Sequence, residues 1–361
     1  MSELDFLEAK DLSFSSESDL FQYITNNVDL GDIDANINLI GSVSDYYTKS
    51  EFTQALENGF ETIWSTGDLH LLAAHTDSSA IPYYVYLDDD FPVFLTTANI
   101  TDEMPGTIES FLRSDPNLGR FWLSMEQMEL LRAEISRNYN DLLIPYFTGH
   151  RSGYMEIPSE KRDQIERTVS YWGEDGRQVY KEMRTKYGVL PTNLVFERPN
   201  HFKFGIKQEG VFKHREGSIM ETWQLYQSER KRKEMVKEVI NSGGFDSNAQ
   251  SQQFEGRTVS GSKPWAVEMT DSMAVESIET FKPHLSEEEL EFGVTGYRMK
   301  PDTPGFDAQL VDTNSYGSTK LRGRRDNIRV YPHEGSGIDQ HFRIYNFVQD
   351  HFEADCQAVE V

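Results

Sequence analysis

Apolar residues in the N-terminal part of the chain alternate between helical spacing and short, strand-like runs. Two helical stretches begin with a capping sequence, Thr48 with Glu51 and Ser124 with Gln127, whose side chains can bond each other's backbone. Helices and strands that alternate along a chain are typical of layered α/β proteins. The pattern predicts an α/β domain with a mixed sheet over residues 1–153.

A hairpin with an acidic turn is predicted inside this domain. Two apolar runs, residues 83–87 and 91–96, flank three consecutive aspartates at positions 88–90. Strand-forming runs joined by a short polar segment are typical of paired antiparallel strands. We therefore expect the aspartates to lie at the turn.

The next section, residues 154–241, combines charged helices with a second hairpin. Charged helical patterns run from about residue 158 to 171 and then on to residue 186. Strand-like runs follow, and the segment 208–210 between the last two predicts a tight turn. A long helix is predicted over residues 218–241. This section is therefore predicted to contain helices, a β-hairpin and a long helix.

The C-terminal part is predicted to be a separate domain. Residues 242–253 are polar, contain paired glycines and lack periodicity, which predicts a linker. Beyond it we expect an α+β domain over residues 254–361. It contains a strand at 264–268, a helix around 273–281, further strands and a last helix at 338–350.

Length and composition limit the class of protein. At 361 residues the chain is long enough for two or three domains, and 37% hydrophobic residues suffice to fold them. No apolar run reaches the roughly 18 residues that span a bilayer, and the acidic N-terminus is unlike a secretory signal. The single cysteine, Cys356, excludes an internal disulfide framework. We expect a cytoplasmic protein without a membrane partner.

The formal net charge is −25, from 60 acidic and 35 basic residues. Such charge destabilises a folded chain by self-repulsion unless salt screens it, as at about 1 M, where the Debye length is about 3 Å. In composition the chain resembles cytoplasmic proteins of halophilic archaea and their viruses. The resemblance covers the whole chain, names no family and implies adaptation to a salty interior. An acidic protein of an ordinary cell is the alternative.

The acidic charge is interrupted in two places. Lys and Arg outnumber Asp and Glu over residues 159–237, and residues 320–329 hold five basic residues against one acidic residue. Basic stretches in so acidic a chain suggest contact with an acidic partner. The candidate contact residues are Lys203, Lys207, Lys213, Arg215, Arg230, Lys231, Arg232, Lys233, Lys320, Arg322, Arg324 and Arg325.

DNA is one partner that these stretches can serve. The helices, hairpin and basic helix loosely resemble a winged helix, but Pro191 and Pro199 leave no room for its recognition helix before residue 200. Phosphate contacts also weaken steeply as salt rises. The alternative is that the basic residues pair with acids of a neighbouring domain, of another protein or of a second copy.

Candidate catalytic chemistry is sparse. His75 and Asp77 lie in the same predicted domain as the aspartates 88–90, and a second group clusters near the C-terminus: His333, Glu334, Asp339 and His341. Neither group has HExxH or a comparable ligand spacing. The segment 335–337, Gly-Ser-Gly, lies between a strand and a helix as a phosphate loop does, yet it lacks the Walker lysine. No catalytic residue, metal or cofactor is predicted.

These features together predict a non-enzymatic protein that acts through macromolecular contacts, as a regulator that binds DNA or protein. A structural or assembly protein, of viral origin and homo-oligomeric, is the alternative that the long helix also fits. A metal-dependent hydrolase with histidine and aspartate ligands is a second alternative.

Overall fold

The structure of the protein, a computed structural model, describes residues 14–27, 36–46, 48–76, 80–151, 165–241, 251–254, 257–260, 264–273, 278, 291–299, 305–333 and 335–361. Within these ranges the chain forms seven α-helices, a π-helical turn at Pro105–Glu109 and nineteen strands. The helices are α1 (Glu17–Asn27), α2 (Lys49–Gly59), α3 (Ser110–Ser114), α4 (Met125–Asn138), α5 (Gly176–Tyr187), α6 (Ile219–Ile240) and α7 (Ile338–His351).

The strands fall into two large sheets and one separate pair. The first eleven are β1 (Ile37–Ser44), β2 (Glu61–Thr66), β3 (Leu69–His75), β4 (Ala80–Tyr86), β5 (Val93–Thr96), β6 (Leu118–Arg120), β7 (Leu143–Arg151), β8 (Arg167–Trp172), β9 (Leu190–Arg198), β10 (Phe202–Lys207) and β11 (Val211–Glu216). The other eight are β12 (Ser251–Phe254), β13 (Arg257–Ser260), β14 (Trp265–Glu268), β15 (Phe292–Met299), β16 (Gly305–Asp312), β17 (Ser318–Arg324), β18 (Asn327–Pro332) and β19 (Gln357–Glu360).

The larger sheet has eleven strands in the order β2-β3-β4-β5-β1-β11-β10-β9-β7-β8, and β6 pairs with β1 outside this path. All of these pairs are antiparallel, so the prediction of a mixed sheet is wrong. A parallel pair needs a crossover of a dozen or more residues. The chain instead turns back directly from β2 to β5, each strand pairing with the one before it.

Strands from both sides of residue 153 belong to this sheet. β7 pairs with β8 and β9, and β1 pairs with β11, with Leu39 opposite Phe212. Side chains of both segments also enter one apolar cluster. The predicted segments 1–153 and 154–241 therefore share a sheet and a core.

The local signals for helix starts are confirmed. Thr48 accepts a hydrogen bond from the Glu51 amide and Ser124 accepts one from the Gln127 amide, and both capping boxes are complete. The acidic residues 88–90 connect β4 to β5, which form the predicted hairpin. The long helix begins after its N-cap Ser218, within one residue of the predicted start.

Three other predictions differ or fall elsewhere. The charged helix predicted to residue 171 is wrong at its end, because Arg167–Trp172 forms strand β8 beside β7. The predicted linker lies outside the described residues up to position 250, and its last three residues belong to β12. Most of the helix predicted around 273–281 also lies outside the described residues.

The smaller sheet has six antiparallel strands in the order β15-β16-β17-β18-β14-β19. One face is apolar and buried, with Leu310, Leu321 and Val330 among its members, and it belongs to the same cluster as the apolar residues of α7. In the described part of the chain, no helix is long and apolar enough to cross a membrane.

Helix α7 connects this sheet to the rest of the chain. Asp350 at its end accepts a hydrogen bond from the Met125 amide at 2.8 Å, and so caps the start of α4. At its beginning Asp339 accepts from the Arg120 amide at 2.9 Å. Because both ends of α7 bond the β6–α4 segment, the smaller sheet is held against the larger one.

Candidate functional site

Most of the basic residues of α6 make contacts within the chain. Arg230 pairs with Asp88 at 3.3 Å and with Glu234 at 2.9 Å. Arg232 pairs with Glu229 of its own helix. Lys231 is exposed. The basic stretch of α6 therefore leaves little charge for an outside partner.

The aspartate turn and α6 form one electrostatic contact. Lys237, which is almost fully buried, pairs with Asp90 at 2.8 Å and with Asp45 at 3.5 Å. Gln227 donates a hydrogen bond to Asp88 at 2.8 Å. The acidic hairpin turn therefore neutralises part of the excess positive charge of residues 159–237, which the sequence predicted to contact an outside partner.

Lys233 is buried between α6 and α7. Its ammonium donates to the Asn346 side-chain oxygen at 2.7 Å and lies 5.6 Å from the centre of the Phe342 ring. Burial lowers the pKa of Lys233 to about 7, although Glu229 and Asp350 act in the opposite direction. A lysine in this position cannot reach an external partner.

The hairpin of β10 and β11 brings together three other candidates. Lys203 and Lys207 lie on one face of β10, and Lys213 lies opposite Gly205 between them. Lys203 pairs with Glu197 at 2.7 Å. Burial and the neighbouring Lys207 lower the pKa of Lys213 to about 8. Arg215 is exposed at the end of β11.

The second basic stretch forms a surface of a different kind. Lys320, Arg322 and Arg324 alternate along β17 and therefore point to the same side of the smaller sheet. Strand pairing adds two arginines to this side: Arg329 lies opposite Arg322 on β18, and Arg298 lies opposite Asp307 on β15. We refer to these five residues, Arg298, Lys320, Arg322, Arg324 and Arg329, as the basic sheet face.

Few acids balance this surface. At the described strand positions of the same side, the carboxylates are Asp307 and Glu268. Asp307 pairs with Arg322 at 3.0 Å and with Arg324 at 3.4 Å, so one carboxylate serves two guanidinium groups. Arg298 and Arg329 are exposed. The face therefore keeps an excess of positive charge.

An aromatic ring lies within the basic sheet face. The Arg322 guanidinium carbon lies 5.6 Å from the centre of the Tyr331 ring, which is a cation–π distance. Tyr331 is opposite Lys320 on the neighbouring strand. Arg325 lies at the exposed β17–β18 turn in a left-handed conformation, with φ of 45°.

Sequence reasoning missed part of this face. It selected Lys320, Arg322, Arg324 and Arg325, but not Arg298, Arg329 or Tyr331. The signal was the alternation of charged and small or apolar residues from 318 to 324, which is typical of a half-buried strand. With β17 in place, the partners on β16 and β18 follow from antiparallel register.

The other candidate groups have structural roles. His341 is fully buried between the Trp265 indole and the Ser336 hydroxyl, at 3.1 Å from each, and burial lowers its pKa to about 3. Ser336 of the glycine loop is buried and also bonds Thr319. His75 pairs with Glu61 at 2.6 Å. Among the described residues, no group of three His, Cys, Asp or Glu side chains is placed to hold a metal.

Comparison with known proteins gives two findings. Residues 126–209 match the AF_0896_M family middle domain, which covers α4 to the turn after β10. An uncharacterized protein of Archaeoglobus fulgidus is 21% identical over 345 residues, which is 93% of this chain and 94% of that protein. The relative is archaeal and similar over nearly its whole length. The basic sheet face lies outside the segment matched by the family.

Proposed function

We propose that this protein binds single-stranded nucleic acid through the basic sheet face. The observation that carries the proposal is the gathering of five cations against two carboxylates on one side of an antiparallel sheet. The chain as a whole is strongly acidic, with a net charge of −25. The only stretch of sheet with this excess is therefore the best candidate, among the described residues, for contact with a polyanion.

The spacing of the cations suits a partner with repeated negative charges. Side chains two residues apart on a strand are separated by roughly 6.6 Å, and neighbouring strands by about 4.8 Å. Phosphate contacts of lysine and arginine supply most of the sequence-independent affinity for nucleic acids. The Tyr331 ring beside Arg322 adds a surface on which one base can stack.

The shape of the surface favours a single strand over a duplex. A six-stranded sheet is roughly 24 Å wide, since adjacent strands are about 4.8 Å apart, whereas the major groove of DNA is about 12 Å wide. The sheet cannot enter the groove as a recognition helix does. A single strand can instead lie across the sheet and expose both its phosphates and its bases.

The test is the affinity for a fluorescent single-stranded oligonucleotide, measured by anisotropy from 50 to 300 mM KCl. The variant Lys320→Gln/Arg329→Gln removes two charges from the face without placing acids beside Asp307. We expect weaker binding at every salt concentration. The slope of log K against log salt should also decrease by about 1.4, since each lost phosphate contact contributes roughly 0.7.

The matched control is Lys181→Gln/Lys231→Gln, which removes the same charge from two exposed lysines away from the face. Its affinity and salt slope should equal those of the unchanged protein. Equal losses in both double variants would show diffuse attraction and contradict the proposal. Binding of polyglutamate but not of the oligonucleotide would assign the face to an acidic protein instead.

A further inference from the structure

A cavity of about 390 Å³ lies between the larger sheet and α7. One wall is polar and comes from the larger sheet, with Thr148, Asn193 and Lys207 in register on adjacent strands. The opposite wall is one side of α7, at positions 343, 346, 347, 350 and 351. The volume falls within the range of roughly 300–1,000 Å³ that is usual for small-molecule sites.

Of the lysine and arginine side chains that line this cavity, Lys207 is the one available to pair with a ligand. Arg343 also lines it, but pairs with Asp339 at 2.7 Å and with Asp312. Arg120 pairs with Glu109 at 3.4 Å. Among the described residues, Lys207 forms no ion pair. An anion in the cavity can therefore pair with the Lys207 side chain without displacing another carboxylate.

The acids of the cavity do not oppose an anion strongly. Burial raises the pKa of Asp350 well above its usual value, which favours the neutral carboxyl group. Glu291 pairs with Arg113 at 3.1 Å. Glu209 is exposed at the hairpin turn rather than enclosed. The cavity therefore tolerates negative charge near Lys207.

Flat rings and neutral polar groups complete the lining. The Phe347 ring is stacked on His351 with centroids 4.2 Å apart. Trp122 also lines the cavity, with the Arg120 guanidinium 5.2 Å from the centre of its ring. Neutral donors and acceptors surround the same space, and the sequence supplies them as hydroxyls and amides. They are Thr148, Thr192, Asn193, Gln208 and Asn346.

We propose that this cavity binds a nucleoside monophosphate, with its phosphate at Lys207 and its base beside the aromatic side chains. A bare anion leaves the rings and amides unused, and a neutral nucleoside leaves the lysine unused. A molecule with a charged group, hydroxyls and a planar polar ring uses all three. The site lies on the α7 side of the smaller sheet, opposite the basic sheet face, so it does not depend on the proposed function.

The test is isothermal titration calorimetry of the 361-residue chain with adenosine monophosphate, and separately with adenosine and with inorganic phosphate. We expect saturable binding of the monophosphate and binding at least about tenfold weaker for the two fragments. Lys207→Gln should weaken binding of the monophosphate by about tenfold or more and leave adenosine unaffected.

Lys203→Gln is the matched control, because Lys203 lies on the same strand and face but pairs with Glu197 and does not line the cavity. It should bind the monophosphate normally, as should Lys320→Gln/Arg329→Gln. The thermal unfolding midpoint of each variant reports whether it is folded. Three results would overturn the proposal: no saturable binding by folded protein, equal losses for Lys203→Gln and Lys207→Gln, or phosphate binding as tight as that of the monophosphate.

Discussion

At the scale of single residues, close packing explains why a glycine occupies a position inside strand β17. Gly323 lies on β17 directly opposite Phe306 of β16. A Cβ atom built on Gly323 would lie 2.2 Å from an atom of the Phe306 ring, far inside van der Waals contact. The glycine lets the aromatic ring cover the strand, on the side opposite the basic sheet face.

Gly323→Ala is therefore expected to destabilise the smaller sheet by about 1–3 kcal/mol, because an added methyl group in a filled site forces the ring to move. Urea unfolding measures the change. In the Phe306→Leu background the smaller side chain leaves room for the methyl group. The added cost of Gly323→Ala should therefore be smaller there than in the unchanged protein. If the alanine costs the same in both backgrounds, the contact with the ring is not its cause.

Lys233 predicts how stability depends on pH. Its folded-state pKa of about 7 lies below the value of about 10.4 in an unfolded chain. Between these values the unfolded chain binds a proton that the folded chain does not, so the free energy of unfolding should rise with pH. The contribution amounts to a few kcal/mol between pH 7 and 10.

The variant Lys233→Met removes the titrating group from both the folded and the unfolded chain. Its free energy of unfolding should therefore rise less steeply from pH 7 to 9.5. Lys213, whose pKa is about 8, leaves part of the slope in place. Lys231→Met, two residues earlier on α6 and exposed, should keep the full slope. Urea unfolding at several pH values measures each slope, and identical slopes for both variants would contradict the assignment.

At the scale of elements, local signals in the sequence located helices better than strands. The capping boxes at Thr48 and Ser124 act through neighbours three residues away, so the sequence contains the whole interaction. β8 and β17 were missed because their charged residues resemble a solvated helix or a basic run. What makes them strands is pairing with β7 and β16, which residue spacing alone does not reveal.

The candidate site was likewise predictable only in part, because the sequence shows where charge is concentrated but not which charges are paired. Composition located residues 320–329 as unusual, and the structure shows them on one sheet face with Arg298 and Arg329. Composition also selected Arg230 of α6, which in fact pairs with Asp88 of the aspartate turn, as the nearby Lys237 pairs with Asp90. Charge alone does not distinguish the two cases, because the partner acids lie about 140 residues earlier in the chain. The cavity has no sequence signal, since its lining comes from distant segments.

At the scale of the whole molecule, the net charge of −25 predicts a dependence on salt. Raising KCl from 0.1 to 1 M shortens the Debye length from about 10 Å to about 3 Å and screens repulsion among surface acids. Partly buried pairs such as Lys237–Asp90 are screened much less. We expect the thermal unfolding midpoint to rise by several degrees, with most of the rise below about 0.5 M. A midpoint that falls with salt would show that ion pairs outweigh repulsion.

The central place of β1 in the larger sheet has a consequence for synthesis of the chain. Residues Asn38–Ile40 pair with β5 on one edge and with β11 on the other. When β5 has left the ribosome, more than a hundred residues must still be made before β11 exists. At about 5–20 residues per second, this takes several seconds or more. Throughout that time an apolar strand edge in the middle of the future core stays open to other nascent chains, so we expect mispairing at this edge to be a hazard of synthesis.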